Sequence, residues 1–351
     1  MRFSQVPGQK VVIGKLLNSV NQQRVSHAQL FTGPPGCGSL ALALAFAQYI
    51  SCEERTPADS CGKCRSCIKY EKLIHPDLHF VFPVIRDKKN DDPVSDNYIV
   101  QWRDFVRQSP FFTLNRWLDS IEVGNAQGLI FASEASEIIK KLSLKSFESD
   151  FKIMIIWLPE KMHPTTANKL LKMIEEPPEK TLFLLVSEEP GKIIPTIHSR
   201  CQLVKIPGFS KTDIISYLSN CFPDFSTSLD DIARVANGNL TRAIELCRNE
   251  DASEGNLERF KNLMRLAWKR DIISLISWSE EMAATGREAQ KGFITFSLRL
   301  LRENLMLTLD QLKNNIVFLT GIEADFSDKF HPFIKTTNVY PLYDEFNLAA
   351  S

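Results

Sequence analysis

The stretch AQLFTGPPGCGSLALALAFAQYI (28–50) decides the fold, because a short apolar strand leads through a glycine loop into a helix rich in Ala and Leu. Phosphate-binding loops occupy this kind of junction and carry a glycine, four residues, then Gly-Lys-Ser/Thr. Here Gly33 and Gly38 have that spacing, but Ser39 and Leu40 stand at the lysine and hydroxyl positions. The stretch is therefore either a nucleotide site without its usual chemistry or a plain strand-to-helix turn.

The replaced side chains are those that a hydrolase needs. The loop lysine reaches the β- and γ-phosphates, and the hydroxyl holds magnesium, where Leu40 would place an apolar group. Hydrolases of this type also carry acidic residues at the end of a buried strand. The candidate strand, KIMIIWLPEKM (152–162), has Trp157 and Leu158 there, with Glu160 two positions later. Both differences favour a fold that lacks hydrolytic chemistry.

Apolar runs that alternate with helical patterns extend this fold. We predict strands at 28–33, 77–85, 151–158, 181–187 and 201–206, and helices that include 9–24, 39–50, 135–144 and 165–176. Near-continuous apolar strands are typical of buried parallel sheets. Strands that alternate with helices predict a doubly wound α/β domain, with helices on both faces of the sheet, over residues 1–207.

Two other parts of the chain read as helical. Residues 86–120 begin with a polar, turn-rich stretch and continue with many aromatic residues, which predicts a packed helical insertion. After Gly208 no strand pattern follows. We predict three short helices over 208–250 and an all-helical domain over 251–351.

Four cysteines follow the helix after the glycine loop, within an insert at about 51–68. They are Cys52, Cys61, Cys64 and Cys67, with the spacing C-x8-C-x2-C-x2-C. Four thiolates so close in a reducing compartment are typical of a tetrahedral structural zinc site with no open coordination position. Four incidental buried thiols or a redox C-x2-C pair are the alternatives, and the redox pair would leave two cysteines unexplained.

The bulk composition excludes some functions. The 351 residues carry 42 Lys and Arg against 42 Asp and Glu, so no overall basic field attracts nucleic acid. The first residues lack the apolar core of a signal peptide, and no apolar run is long enough to span a membrane. We expect a cytoplasmic protein with no membrane partner and with reduced cysteines.

Two arginines allow more than one reading. Arg200, in IHSRC (197–201), is either a solvated junction residue or an arginine finger that reaches a neighbouring subunit's nucleotide. Arg242, in GNLTRAIEL (238–246), is either a surface charge or a phosphate sensor.

Taken together, these motifs resemble the delta-prime subunit family of the bacterial DNA polymerase III clamp loader, relatives of the AAA+ ATPases. The matching stretches are HAQLFTGPPGCGS (27–39), the cysteine set, HPD (75–77), ANKLLKMIEEPPEKTLFLLVS (167–187) and IHSRC (197–201). They span most of the first 205 residues in the order of the family. The helical half has no sharp motif and is assigned by position.

The resemblance implies an AAA+-like domain, a small helical lid over 208–250 and an all-helical collar over 251–351. It implies a non-hydrolysing subunit of a DNA polymerase holoenzyme, with gamma/tau motor subunits and delta in a five-subunit ring. That ring loads a sliding clamp onto primed DNA. The glycines Gly33, Gly36 and Gly38 with Ser39 would form a degenerate loop, and Arg200 would act in trans.

Two departures from the family pattern limit what is carried over. Residues 86–120 form a longer connection than the family's usual one, so their role is open. Arg242 lies one position later than the usual sensor arginine, so no role is assigned to it.

Two rival functions remain. One is an active AAA+ ATPase with a non-standard loop, which magnesium-dependent ATP turnover by the isolated chain would reveal. The other is a zinc-containing nucleic-acid-binding module, against which stand the zero net charge and the lack of an aromatic and basic platform. Co-purification with clamp-loader subunits separates the three readings.

Overall fold

The computed structural model describes residues 1–86, 92–121, 128–223, 225, 228–248, 250–309, 317, 319 and 321–350. They fall into two compact units, residues 1–214 with 238–241, and residues 215–237 with 242–350. The predicted boundaries of the lid and the collar stay predictions. Parts of the predicted insertion, including 87–91, and of the predicted helical domains lie outside the described residues.

A parallel sheet of five strands forms the centre of the first unit. The strands are β1 (Ala28–Thr32), β2 (Leu78–Val81), β3 (Lys152–Trp157), β4 (Thr181–Ser187) and β5 (Gln202–Lys205). Their order across the sheet is β2-β3-β4-β1-β5, and every neighbouring pair is parallel. Every residue of β1, β3 and β4 is buried, as their continuous apolar sequences predict. The predicted α/β fold class is thus confirmed.

Helices cover the sheet and continue from it. Those that begin in the first unit are α1 (Lys10–Asn21), α2 (Ser39–Ser51), α3 (Arg65–Glu71), α4 (Ile99–Gln108), α5 (Leu114–Ser120), α6 (Glu134–Ser143), α7 (Pro164–Glu175), α8 (Pro195–His198) and α9 (Lys211–Cys221). Successive strand residues point to opposite faces. Leu30 accordingly packs in the core that α6 and α7 cover, whereas Phe31 meets Phe46 of α2 on the other face.

Helices are the only secondary-structure elements among the described residues of the second unit. Its further helices are α10 (Leu229–Ala236), α11 (Leu240–Arg248, which begins in the first unit), α12 (Glu250–Lys269), α13 (Ile272–Ala284), α14 (Arg287–Leu309), α15 (Gly321–Phe330) and α16 (Thr336–Ala350). Phe260, Leu300 and Leu301 are fully buried at the centre of its apolar core. Every element that the structure describes after Gly208 is a helix.

Candidate functional site

The four predicted metal ligands lie together at the two ends of a short segment between α2 and α3. Cys52 directly follows α2, Cys64 directly precedes α3, and Cys67 lies in the first turn of α3. The Sγ atoms of these residues and of Cys61 all lie within 4.8 Å of one another. Cys52 and Cys67 are buried, whereas Cys61 and Cys64 are partly exposed.

The sulfur geometry fits a tetrahedral metal. Zinc–sulfur bonds of about 2.3 Å place two tetrahedral thiolates about 3.8 Å apart. The Sγ atoms of Cys61 and Cys67 are 3.9 Å apart. Among described residues, this is the only group of three or more Cys, His, Asp or Glu ligand atoms placed closely enough for a metal. The donor set therefore fits a closed metal site with four sulfur ligands.

Backbone N–H groups prepare the Cys61 sulfur for the thiolate form. The N–H groups of Lys63 and Cys64 donate to the Cys61 Sγ over 3.5 and 3.3 Å. Gly62 makes this tight turn possible through its positive φ of 73°. Burial alone would raise the pKa of Cys61, but these N–H groups outweigh burial and lower the pKa to about 7.

The glycine loop lies between β1 and α2, as predicted, and neighbouring side chains crowd two of its glycines. A Cβ atom at Gly36 would lie 1.9 Å from the Oδ1 atom of Asn239. A Cβ atom at Gly38, where φ is 82°, would lie 2.8 Å from the ring of Phe209 and 3.2 Å from the ring of Phe111. The space beside these glycines is therefore taken by amide and aromatic groups.

The replaced positions of the loop are inside the protein. Gly33 directly follows β1, and Ser39 and Leu40 form the first turn of α2, with 9% and 4% of their surfaces exposed. The Leu240 N–H donates to the carbonyl of Gly36 over 3.1 Å, which ties the loop to the start of α11. An apolar side chain thus lies buried where a magnesium ligand would stand.

Trp157, at the end of β3, belongs to an aromatic cluster formed with the predicted insertion. Its ring lies 5.1 Å from that of Phe112 and 5.2 Å from that of Trp102. The Trp117 ring meets Trp102 edge to face, and its indole N–H donates to the Pro83 carbonyl. The described part of the insertion is therefore packed and helical, as its aromatic content predicts, and it covers the end of β3.

Acidic residues at the ends of β3 and β4 form a group that the sequence reading did not identify. One carboxylate oxygen of Glu160 accepts the N–H groups of Glu188 and Glu189 over 3.0 and 3.1 Å. Burial, together with the charges of Glu160 and Glu189, raises the pKa of Glu188 to about 7. The signal available in the sequence was the pair of acids directly after a buried strand, at the edge where the glycine loop also lies.

Arg200 lies at the surface of the first unit, in the turn after α8. Its Nη2 atom is 2.6 Å from the Oε1 atom of Glu175, the last residue of α7. Its Nη1 atom donates to the carbonyl of Thr196 over 3.0 Å. About 39% of the arginine side chain is exposed, so the guanidinium can meet a ligand from outside the chain.

Arg242 is half-buried in the second unit, in the electrostatic field of several charged side chains. Burial, and next the charge of Arg299, lowers the pKa of Arg242, while Glu303 and Glu323 oppose the shift. Glu303 and Glu323 are each only 2% exposed, and Arg299 forms an ion pair with Glu323. The charges near Arg242 therefore come from its own helical unit.

The aspartate of the HPD motif supports a neighbouring loop. Asp77 accepts the N–H groups of Phe147, Glu148 and Ser149 over 2.6, 2.8 and 2.8 Å, and it is 2% exposed. Burial alone would raise the pKa of Asp77, but the three N–H groups outweigh burial and lower the pKa. The motif therefore has a structural role at the start of β2.

Comparison with known proteins gives a consistent result. The family described as "DNA polymerase III, delta subunit" matches residues 8–210. The delta' subunit of DNA polymerase III from Bacillus subtilis (strain 168) is 29% identical over 250 residues, which cover 71% of this chain and 62% of that protein. The tau subunit from Escherichia coli (strain K12) is 27% identical over 256 residues, which cover 72% of this chain and 33% of that protein. The matches thus cover less than two thirds of either relative.

Solved structures show weaker likeness. A gamma-subunit-related protein of DNA polymerase III from Thermotoga maritima has a TM-score of 0.43 and 13% identity, over 98% of this chain and 99% of that one. The clamp-loader delta protein of Bacillus subtilis has a TM-score of 0.35 and 8% identity, over 96% of this chain and 93% of that one.

Proposed function

This chain belongs to the DNA polymerase III delta subunit family, which matches more than half of it, and we propose that it is the non-hydrolysing delta-prime subunit of a clamp loader. In this role it joins gamma/tau motor subunits and a delta subunit in a five-subunit ring. The ring uses ATP to place a sliding clamp on primed DNA in the cytoplasm.

One observation carries the non-hydrolysing role. The ends of the phosphate-type loop and of β3 hold Leu40 and Trp157, which are 4% and 3% exposed, at the positions where a hydrolase binds magnesium and polarises water. Phe111 and Phe209 also crowd Gly38. Since hydrolysis of ATP relies on a cation held beside the phosphates, the apolar side chains at these positions support a non-hydrolysing role.

Arg200 is the residue through which this chain would contribute to ATP hydrolysis. A guanidinium is always charged and presents a planar fork of N–H donors that matches phosphate oxygens. Because the chain's own loop has Ser39 and Leu40 in place of the lysine and the hydroxyl, an arginine that acts on a nucleotide would reach one that another subunit holds. We propose that Arg200 is this arginine finger in trans.

The cysteine cluster has a structural task in this scheme. We propose that Cys52, Cys61, Cys64 and Cys67 hold one Zn²⁺, whose four thiolates leave no position for a substrate. The metal would join the end of α2 to the start of α3. The helical second unit would supply the collar contacts that hold the ring together.

Reconstitution tests the proposal. The chain is mixed with motor and delta subunits, assembly is followed by size-exclusion chromatography, and ATP turnover is measured with clamp and primed DNA. We expect a stable complex in which Arg200→Ala lowers the stimulated turnover, whereas the matched control Arg24→Ala, another exposed arginine of the first unit, does not.

Three outcomes would contradict the proposal. Failure to join the complex would remove the clamp-loader role. Magnesium-dependent turnover by the isolated chain would favour an active ATPase. Unchanged clamp loading by a fully assembled Arg200→Ala complex would leave Arg200 as a solvated junction residue.

A further inference from the structure

The ion pair between Arg200 and Glu175 joins two elements whose backbones are fixed by the core. Glu175 ends α7 directly after Ile174, and Arg200 follows α8, which contains Ile197. Ile174 is fully buried and Ile197 is 1% exposed, and both pack in the same apolar cluster. The backbone that carries the Glu175 carboxylate is therefore held in a fixed position relative to Arg200, which lies 25 positions later in the sequence.

The negative charge of Glu175 does not stabilise the helix that carries it. The carboxyl end of a helix carries a partial negative charge, so an acidic residue in the last turn is unfavourable there. Both Glu175 and the next residue, Glu176, stand at this end of α7. The 2.6 Å contact with Arg200 gives the Glu175 carboxylate its cation.

The contacts hold the guanidinium from two directions while leaving it accessible. Glu175 meets Nη2, and Thr196 accepts from Nη1 over 3.0 Å. A guanidinium has five N–H donors, so these contacts leave capacity for further acceptors. A long side chain that is already held in one rotamer loses less freedom when a ligand binds.

We infer that Glu175 is a positioning residue for Arg200, which holds the guanidinium ready for an anionic phosphate of a nucleotide bound by a neighbouring subunit. This inference rests on the proposed trans role of Arg200. Since a half-exposed ion pair contributes little to folding, the carboxylate acts on orientation rather than on stability.

Glu175→Gln tests the inference in the reconstituted clamp-loader complex, with Glu176→Gln as the matched control. Both changes remove one negative charge from the end of α7. We expect Glu175→Gln to lower the clamp- and DNA-stimulated ATP turnover about 2–10-fold, the range associated with one immobilised flexible side chain, and Glu176→Gln to leave it unchanged. Thermal unfolding of both variants should match that of the unmodified chain.

A double variant shows whether Glu175 acts through Arg200. In an Arg200→Ala background we expect Glu175→Gln to cause no further loss. Glu175→Asp keeps the charge but shortens the reach, so we expect it to lower the turnover as well. That variant also keeps the test decisive if Glu175→Gln does not fold.

Each contrary result has its own meaning. If Arg200→Ala lowers the turnover but Glu175→Gln behaves like Glu176→Gln, the positioning role fails and the trans role stands. An increase with Glu175→Gln would make the ion pair an inhibitory contact and overturn the inference. An equal loss with and without Arg200 would also overturn it. If Arg200→Ala itself has no effect, both proposals fail.

Discussion

The rings of Trp157 and Phe112 pack against each other with centroids 5.1 Å apart and planes inclined by 61°. Trp157 is the last residue of β3, and Phe112 belongs to the segment between α4 and α5. An aromatic contact therefore occupies the end of a central strand where a nucleotide hydrolase would place acidic side chains.

Restoring the loop lysine alone should not create an ATPase. We expect Ser39→Lys to leave the isolated chain without ATP turnover, because Leu40 and Trp157 still replace the magnesium-binding and water-polarising groups. Phosphate release from the purified chain is the measurement, with a motor subunit as the positive control. Turnover that persists through further purification, in either the variant or the original chain, would contradict this expectation.

The cysteine cluster should bind about one zinc ion per chain. Metal analysis of protein made in zinc-replete medium measures this directly. We expect Cys64→Ala to lose the metal and loosen the region around α3, while the helical unit stays folded, because one of four ligands is gone.

Cys221→Ala is the matched control for this change, since that thiol is exposed and lies outside the cluster. It should keep its zinc. Metal-free protein, or a Cys64→Ala variant with a full complement of zinc, would speak against the site.

Arg200→Lys should restore activity poorly in the assembled complex. A lysine keeps the charge but lacks the planar fork that binds phosphate oxygens through two donors. Arginine fingers accelerate phosphoryl transfer by about 10³–10⁵ in their strongest cases, and the effect is smaller when one site among several is changed. Stimulated ATP turnover near the unmodified rate with lysine at this position would show that charge alone suffices.

Arg242→Ala should destabilise the helical unit. The change removes a half-buried cation whose charge favours the buried carboxylates of Glu303 and Glu323, and we expect it to lower the free energy of unfolding by about 1 kcal/mol. Urea unfolding followed by circular dichroism measures the loss. Arg248→Ala, which removes an exposed arginine at the end of the same helix, should change stability by less than about 0.5 kcal/mol. Equal effects of the two variants would remove the structural role of Arg242.

The stability contributed by Asp77 should depend on pH in acid. The folded state lowers the pKa of Asp77, so the carboxylate stabilises the fold fully above the unfolded pKa of about 3.9. This contribution is lost as the pH falls through the lower, folded pKa. Asp77→Asn should therefore cost about 2 kcal/mol at neutral pH, through weaker hydrogen bonds to three N–H groups, and the difference should shrink below about pH 4.

Asp150→Asn is the control for Asp77, because the Asp150 side chain is 82% exposed. Its unfolding free energy should stay close to that of the unmodified chain at all pH values. A constant difference between Asp77→Asn and the unmodified chain from pH 2 to 7 would contradict the assigned cause.

The strands were predictable because their apolar runs are bounded by Gly, Pro and polar residues. The predictions 151–158 and 181–187 differ from β3 and β4 by at most one residue at either end. The strand predicted at 77–85 is shorter in the structure, where β2 ends at Val81. Pro83 has no N–H group to donate to a neighbouring strand. The clustering of the four cysteines was also predictable, because they lie close together in the sequence.

Contacts between distant parts of the chain were not predictable. Apolar periodicity shows which face of an element is buried but not its neighbour. Neither the packing of Trp102 and Phe112 on Trp157 nor the pairing of Arg200 with Glu175 follows from local sequence. The electrostatic environment of Arg242 was not predictable either, because Arg299, Glu303 and Glu323, whose charges act on it, come from α14 and α15, more than 50 residues later.

The strand order has a consequence for synthesis on the ribosome. β1 lies between β4 and β5, and 148 residues separate Thr32 from Thr181, where β4 begins. At about 5–20 residues per second, β1 waits about 7–30 s for its first partner, although the four cysteines have already been made. We therefore expect the yield of folded chain to depend on translation speed and on chaperones that shield this apolar nascent segment.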